Sequence, residues 1–298
     1  MNNFRTDMAD ERVAQCQKDS KQQKLDGIKV QNMEKDGMNI TIVDVLNEKG
    51  SQLVDKTIGR YITMQIKDIE YLEEAQKQKS IQKLAELVLN LIGNDSKKSV
   101  MVVGLGNLYV TPDCLGPKVV QNINVTRHLL KFAKDLVDPT VRQISAISPG
   151  VLGTTGIETS EIVTSVVNNV KPDIVIVIDS LMSQSIDRIG CSIQLSNTGI
   201  VPGAGVRNRR MAINQEILNV PVIAIGVPTV VDVATITNYT IEKLEQSNKI
   251  KINLDKNNSY KVLADVLNTE NYIVTPKEID EIMQKVSEII SSALNVAL

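Results

Sequence analysis

A run of five branched aliphatic residues, Ile174 to Ile178, constrains the fold of this chain more than any other stretch. Asp173 precedes the run and Asp179 follows it, and no polar position interrupts it. Such a run is typical of a strand that is covered on both faces, as in a parallel sheet with helices on each side. We expect this strand to end at the carboxylate of Asp179.

A second apolar strand, residues 99–103, leads into a glycine turn. Gly104-Leu-Gly106-Asn107 follows it, and Thr111-Pro112-Asp113 then places an acid near the start of a predicted helix. In open α/β sheets, ligands lie outside the carboxyl ends of the strands. We therefore expect Asp113 and Asp179 to meet over one edge of the sheet.

Strand and helix patterns alternate through the middle of the chain, which predicts right-handed crossovers. Further strands are predicted at 140–147 and 221–226, with helices at about 113–128, 157–170 and 230–246. The predicted fold class is α/β: a doubly wound, mostly parallel sheet flanked by helices, with an N-terminal β-rich portion and a C-terminal helix.

The two ends of the chain have their own patterns. Residues 1–26 are polar and have no reliable period, so we expect a loosely held leader. Short pieces of hairpin character fill 27–66, and 73–92 has a helical period. Thr275-Pro-Lys-Glu278 predicts a capping box for the C-terminal helix.

Composition excludes several classes of function. With 33 basic and 35 acidic residues in 298, the chain has no basic surplus, so we expect no direct nucleic-acid partner. Three scattered cysteines, Cys16, Cys114 and Cys191, argue for a reducing compartment. Because no stretch has the apolar length of a signal peptide core or a membrane span, we expect a cytoplasmic protein without membrane association.

The usual catalytic and cofactor motifs are incomplete. Gly104-Leu-Gly106 lacks the third glycine of a dinucleotide fingerprint, where Tyr109 stands, so these glycines are better explained by a tight strand-to-helix turn. His128 is the one histidine in the chain, which argues against a serine or cysteine triad. The cysteines lack metal-ligand spacing. We expect neither a cofactor nor a metal.

A pair of carboxylates remains as the candidate for chemistry. Two aspartates at one sheet edge repel as anions and share a proton, so one can take a proton from water while the other donates one. Asp113, near a helix N-terminus, is expected to stay ionised as the base, and desolvated Asp179 to hold the proton. The alternative is that Asp113 is an N-cap acid and Asp179 a strand-end acid bonded to backbone.

Long motifs resemble the germination protease (spore protease) family of spore-forming bacteria, and they extend over nearly the whole chain. They are Gly104-Leu-Gly106-Asn107 with Thr111-Pro112-Asp113-x-Leu115-Gly116-Pro117, Ser148-Pro149-Gly150 with Gly156-Ile157-Glu158-Thr159, Asp179-Ser-Leu181, Thr198-Gly-Ile200-x-Pro202-Gly203-x-Gly205, and Pro221 to Asp232.

The resemblance implies an endopeptidase that initiates degradation of small acid-soluble spore proteins during germination, in the cytoplasm of the forespore or spore core. It implies an aspartic-type mechanism in which Asp113 and Asp179 activate water, and a homotetramer without a cofactor. The family is also distantly similar to hydrogenase maturation proteases. A metal-directed maturation peptidase is therefore the alternative function.

The resemblance further implies a zymogen that cleaves its own N-terminus after an acid that is followed by an apolar residue and alanine. Asp7-Met8-Ala9 fits this pattern and predicts cleavage between Asp7 and Met8. Residues 1–7 would then be a propeptide, and 8–298 a single peptidase domain. Within that domain we expect a β-rich subregion at 27–66, a catalytic core at 99–246 and a C-terminal helix at 275–297.

Overall fold

The computed structural model describes residues 5–138, 140–201, 211–247, 262–263 and 272–298. The Pro202–Gly205 part of the glycine-rich motif lies outside these ranges. Among the described residues the strands are β1 (Ile28–Lys35), β2 (Met38–Val45), β3 (Gly59–Ile66), β4 (Val100–Gly104), β5 (Ile144–Ile147), β6 (Ile174–Ser183), β7 (Ser192–Ser196), β8 (Val222–Asp232) and β9 (Ile273–Val274). The helices are α1 (Ala9–Ser20), α2 (Glu48–Val54), α3 (Glu74–Ile92), α4 (Leu115–Gln121), α5 (Arg127–Phe132), α6 (Leu152–Thr155), α7 (Thr159–Val170), α8 (Gln215–Leu218), α9 (Val233–Gln246) and α10 (Ile279–Ala297).

The described strands form one sheet in the order β1-β2-β3-β7-β8-β6-β4-β5, with β9 paired to β8. β5, β4, β6 and β8 pair in parallel. Apolar side chains of these strands pack against α3, α4 and α10 on one face and against α7 and α8 on the other. The predicted α/β fold class, with helices on both faces, is confirmed.

The N-terminal β-rich portion extends the same sheet in antiparallel register. β1, β2 and β3 pair in sequence, β3 pairs with β7, and β7 pairs with β8. One face of this portion packs against α1 and α2 through Val13, Val43, Val45 and Tyr61. The predicted β-rich portion and the predicted C-terminal helix are both confirmed.

Two predicted strand ends were wrong, because β6 and β8 continue past the point where β4 stops. β4 ends at Gly104, which pairs with Ile178, whereas β6 runs on to Ser183 and β8 to Asp232. Mutual hydrogen bonding beyond the parallel core keeps both strands extended. Asp179 therefore lies inside β6, opposite Gly226, one residue past the last β4 pairing.

The helix predicted over 113–128 is also wrong, because the chain breaks it near its start and again in the middle. Thr111–Asp113 forms a separate 3-10 turn before α4. Between α4 and α5, Thr126 Oγ1 donates to the carbonyl of Arg142 at 2.5 Å and accepts from the N–H of Ile144 at 2.8 Å. These bonds tie the interhelical segment to the edge strand.

The predicted capping box does not form. α10 begins at Ile279 with Glu278 at the N-cap, and no side chain caps it. The Thr275 hydroxyl instead donates to the carbonyl of Thr229 at 2.9 Å.

From Arg5 onward, the N-terminal leader predicted over residues 1–26 is not loosely held; residues 1–4 lie outside the described ranges. Met8 is fully buried, α1 begins at Ala9, and Asp10 pairs with Arg188 at 2.6 Å. Tertiary partners therefore order a segment whose own sequence has little apolar content. In the part of the chain that the structure describes, no helix combines the length and apolarity that crossing a membrane requires.

Candidate active site

A cleft of about 1780 Å³ lies beside the residues that follow β4. Its lining includes Asp7, Lys56, Asp113, Asp179 and Gln194. The volume exceeds the ~300–1000 Å³ of typical small-molecule sites. A polypeptide segment therefore suits this cleft better than a small metabolite does.

Asp113 is positioned by close backbone packing that glycine allows. The N–H of Asn107 donates to the main-chain oxygen of Asp113 and to its Oδ2, both at 2.9 Å. Gly106 has φ +110°, and a Cβ there would lie 2.0 Å from the Asp113 oxygen. A Cβ on Gly104 would lie 2.2 Å from the oxygen of Gly116. The glycine motif thus brings the end of β4 against the start of α4 and fixes Asp113 between them.

Asp179 is a buried carboxyl, 7% exposed, whose Oδ1 accepts from the N–H of Ser180 at 2.9 Å. Burial raises its pKa well above the usual range for aspartate, and the nearby negative charge of Asp113 raises it further. The hydrogen bond from Ser180 lowers the pKa in part, and the charge of Asp7 adds to the increase. The structure thus brings Asp113 and Asp179 together in one cleft, and Asp179 stays protonated to higher pH than an exposed aspartate.

Residues 5–7 of the N-terminal segment line the same cleft. The N–H of Asp7 donates to the carbonyl of Met182 at 2.8 Å, and Asp7 Oδ2 accepts from the N–H of Met182 at 2.8 Å. Arg5 lies 3.5 Å from the fully buried carboxylate of Asp232. These contacts on both sides of Thr6 hold Asp7 in the cleft that Asp113 and Asp179 also line.

Sequence reasoning missed two residues that contact the carbonyl oxygen of Asp7. Lys56 Nζ donates to it at 2.7 Å, and Gln194 Nε2 donates to it at 3.2 Å. No motif links positions 7, 56 and 194. One available signal was Gln194 itself, an amide between the buried apolar Ile193 and Leu195 of β7.

Other polar groups near the cleft have clear positions. The hydroxyl of Ser180 is buried and has no hydrogen-bond partner among the described residues. His128 is exposed on α5 and does not line the cleft. Within the described ranges, no three histidine, cysteine or acidic side chains group in a way that could hold a metal ion.

The family model and the similar proteins of known name agree on one protein family. The protein-family model described as germination protease matches residues 5–265. The germination protease of Clostridium perfringens strain SM101 is 44% identical, over 100% of this chain and 96% of that protein. The Clostridium tetani germination protease is 42% identical over 99% and 95%, and that of Bacillus mycoides is 36% identical over 99% and 93%.

A solved NiFe hydrogenase maturation protease, HycI from Thermococcus kodakarensis, is similar with a TM-score of 0.36 and 15% identity, covering 70% of this chain and 98% of that one. The family match and the full-length relatives confirm the family resemblance that the sequence motifs predicted. This chain belongs to the germination protease family.

Proposed function

We propose that this chain is an aspartic-type endopeptidase that starts the degradation of small acid-soluble spore proteins during germination. We further propose that it is made as a zymogen and cleaves its own Asp7–Met8 bond. Family membership supports the protease activity and the germination role. The observation that carries the mechanism is that Asp7, Asp113 and Asp179 line one cleft, with the pKa of Asp179 raised by burial and by Asp113.

The proposed chemistry divides the work between the two carboxyl groups. Asp113, which is less buried and receives the N–H of Asn107, acts as the ionised base and takes a proton from water. The water oxygen attacks the carbonyl carbon. Asp179 holds a proton because its ionised form is desolvated, and it donates that proton to the leaving nitrogen.

Substrate class and assembly complete the proposal. Residues 5–7 of the chain itself line the large cleft, which supports a flexible protein chain as substrate. We propose a homotetramer in the cytoplasm of the forespore or spore core, without a cofactor and without direct nucleic-acid contact. The formal charge of -2 supports the last point, because phosphate binding needs a basic surplus. Light scattering of the purified chain tests the tetramer.

The test of function is fragment mapping of a small acid-soluble spore protein by mass spectrometry. The wild type should cut it internally, and Asp113→Asn and Asp179→Asn should each slow cutting about 100- to 10,000-fold. Asp36→Asn is the matched control, since Asp36 is exposed in the β1–β2 turn and its φ of 53° suits asparagine. Full activity in both active-site variants would refute the proposed mechanism.

Cleavage in the presence of a chelator distinguishes the aspartic-type mechanism from the metal-directed alternative. We expect EDTA to leave the rate of wild-type cleavage unchanged. A loss of cleavage that added divalent metal restores would favour the maturation-peptidase mechanism instead.

A further inference from the structure

We propose that Lys56 and Gln194 are catalytic residues that bind the carbonyl oxygen of the bond being cut and stabilise the negative charge that it gains. The inference rests on the proposed function, because it takes Asp7–Met8 as a bond that this site hydrolyses. It extends the site from two carboxyl groups to four side chains, with separate groups for the carbonyl oxygen and for the leaving nitrogen.

Two N–H donors converge on one acceptor in the cleft. The carbonyl oxygen of Asp7 accepts from Lys56 Nζ at 2.7 Å and from Gln194 Nε2 at 3.2 Å. Groups that stabilise an oxyanion lie about 2.7–3.1 Å from the oxygen that carries the charge. The lysine is already in that range, and the amide is slightly beyond it. A small inward movement of the oxygen as the carbon becomes tetrahedral would shorten the longer contact.

The amide of Gln194 has a fixed orientation. Its Oε1 accepts from the N–H of Ala9 at 2.7 Å, and a backbone N–H can only donate. The Nε2 end must therefore face the Asp7 oxygen. Gln194 is 8% exposed, and its strand is held on both sides, by Thr63 of β3 and Gly226 of β8. A donor on a central strand needs little reorganisation during the reaction.

Lys56 is placed by the turn that ends α2. Asp55 adopts a left-handed conformation with φ 52°, and the N–H of Lys56 then returns to the carbonyl of Ser51 at 3.2 Å. The pKa of Lys56 is lowered, mainly by burial and also by the charge of Arg12, while the carboxylates of Asp7, Asp55 and Glu11 act to raise it. Although these acids are close enough to affect its charge, its hydrogen bond goes to the peptide carbonyl. A desolvated cation interacts more strongly with a developing oxyanion than one in water does.

The reaction balances with these roles. The water oxygen bonds to the carbonyl carbon of Asp7, and the water proton passes to the ionised carboxylate of Asp113. The π electrons of the carbonyl group move to the carbonyl oxygen. Lys56 and Gln194 bind that oxyanion. When the carbonyl group reforms, the carbon–nitrogen bond breaks and the proton of the Asp179 carboxyl passes to the nitrogen of Met8. The proton on Asp179 is thus used for the leaving group, not for the oxyanion.

The test compares Lys56→Met and Gln194→Met with the wild-type full chain. The first assay is the first-order rate at which a new N-terminus appears at Met8. The second is kcat and KM of the processed enzyme on a synthetic peptide that copies residues 5–12. Lys83→Met is the matched control, since the side chain of Lys83 is 9% exposed and pairs with Glu86 on α3, outside the cleft lining.

We expect Lys56→Met to slow both reactions about 100- to 1000-fold, the cost of removing one oxyanion donor. Gln194→Met, which removes a neutral and longer donor, should slow them at least about tenfold. The fall in kcat should exceed any rise in KM, and Lys83→Met should cleave within about twofold of wild type. Lys56→Gln keeps an N–H donor without the charge, and its rate should lie between those of wild type and Lys56→Met.

The outcomes separate this inference from the proposed function. If the folded Lys56 and Gln194 variants keep the wild-type kcat while Asp113→Asn is inactive, the inference is overturned and the aspartate mechanism stands. An increase in KM alone, with kcat unchanged, would likewise reduce Lys56 to an anchor for the N-terminal segment. If the wild type cuts neither its own chain nor the peptide, the proposed function fails first.

Discussion

Replacing Gly106 with alanine should displace Asp113 and slow proteolysis without changing either carboxyl group. The new Cβ would lie 2.0 Å from the main-chain oxygen of Asp113 and 3.0 Å from its Oδ1. Ordinary contact begins at 3.4 Å, so the Asp113 backbone must move away. The φ of +110° adds strain, because residues with a Cβ rarely adopt it.

The expected losses of stability and of proteolytic rate both follow from this geometry. Overpacking costs about 1–3 kcal/mol and a strained φ about 1–3 kcal/mol, so the free energy of unfolding should fall by about 2–6 kcal/mol. Closing the gap to ordinary contact displaces the main-chain oxygen of Asp113 by roughly 1.4 Å. Because a misplacement of about 1 Å already costs about 100-fold in rate, we expect at least that loss.

The assay is the rate of spore-protein cleavage per folded molecule, at a temperature where melting curves show that the variant is folded. Gly153→Ala is the matched control, since a Cβ at Gly153 would have no atom within 4 Å. The control should cleave at the wild-type rate. A folded Gly106→Ala variant with the same rate would refute the claim that this turn positions a catalytic carboxylate.

Two further predictions concern stability. Because the pKa of Asp179 is raised above its unfolded value of about 3.9, the wild type loses stability as pH rises from there through the raised pKa. Asp179→Asn removes that loss of stability, so the melting temperature of the variant minus that of the wild type should be larger at pH 7 than at pH 4. An equal difference in melting temperature at the two pH values would contradict this prediction. In the Asp113→Asn background, which keeps residues 1–7 attached, Arg5→Met removes the guanidinium beside the fully buried Asp232 and should cost about 3–5 kcal/mol in urea unfolding. Arg12 pairs with Asp55, whose side chain is 69% exposed, so Arg12→Met should cost under about 1 kcal/mol. Equal losses for the two arginine variants would contradict the prediction that the buried pair contributes more to stability.

The parallel core was predictable because its signal is local. Five consecutive aliphatics, Ile174 to Ile178, and the run from Val222 identify central strands without any knowledge of their partners. β7 was not predicted, because Ser192-Ile-Gln-Leu-Ser has only two apolar positions. It is a strand because β3 and β8 pair with it on either side. The continuation of β6 to Ser183 depends on β8 in the same way.

The two aspartates could be proposed from the sequence because both follow apolar strand signals, so the sheet edge that they share could be inferred. Lys56 and Gln194 could not be. Their contact with Asp7 requires the N-terminal segment to lie in the cleft, and that segment is polar on its own. Its order comes from long-range pairs such as Asp10 with Arg188. Such contacts leave no period or spacing in the sequence.

The most direct measurement is the release of residues 1–7 from the purified full chain, monitored by intact mass and N-terminal sequencing. The account predicts that the wild type and Asp36→Asn lose these residues and yield a chain that begins at Met8. It predicts that Asp113→Asn and Asp179→Asn remain uncut on the same timescale, with melting temperatures showing that both are folded. Release at the wild-type rate from both folded active-site variants would contradict the account.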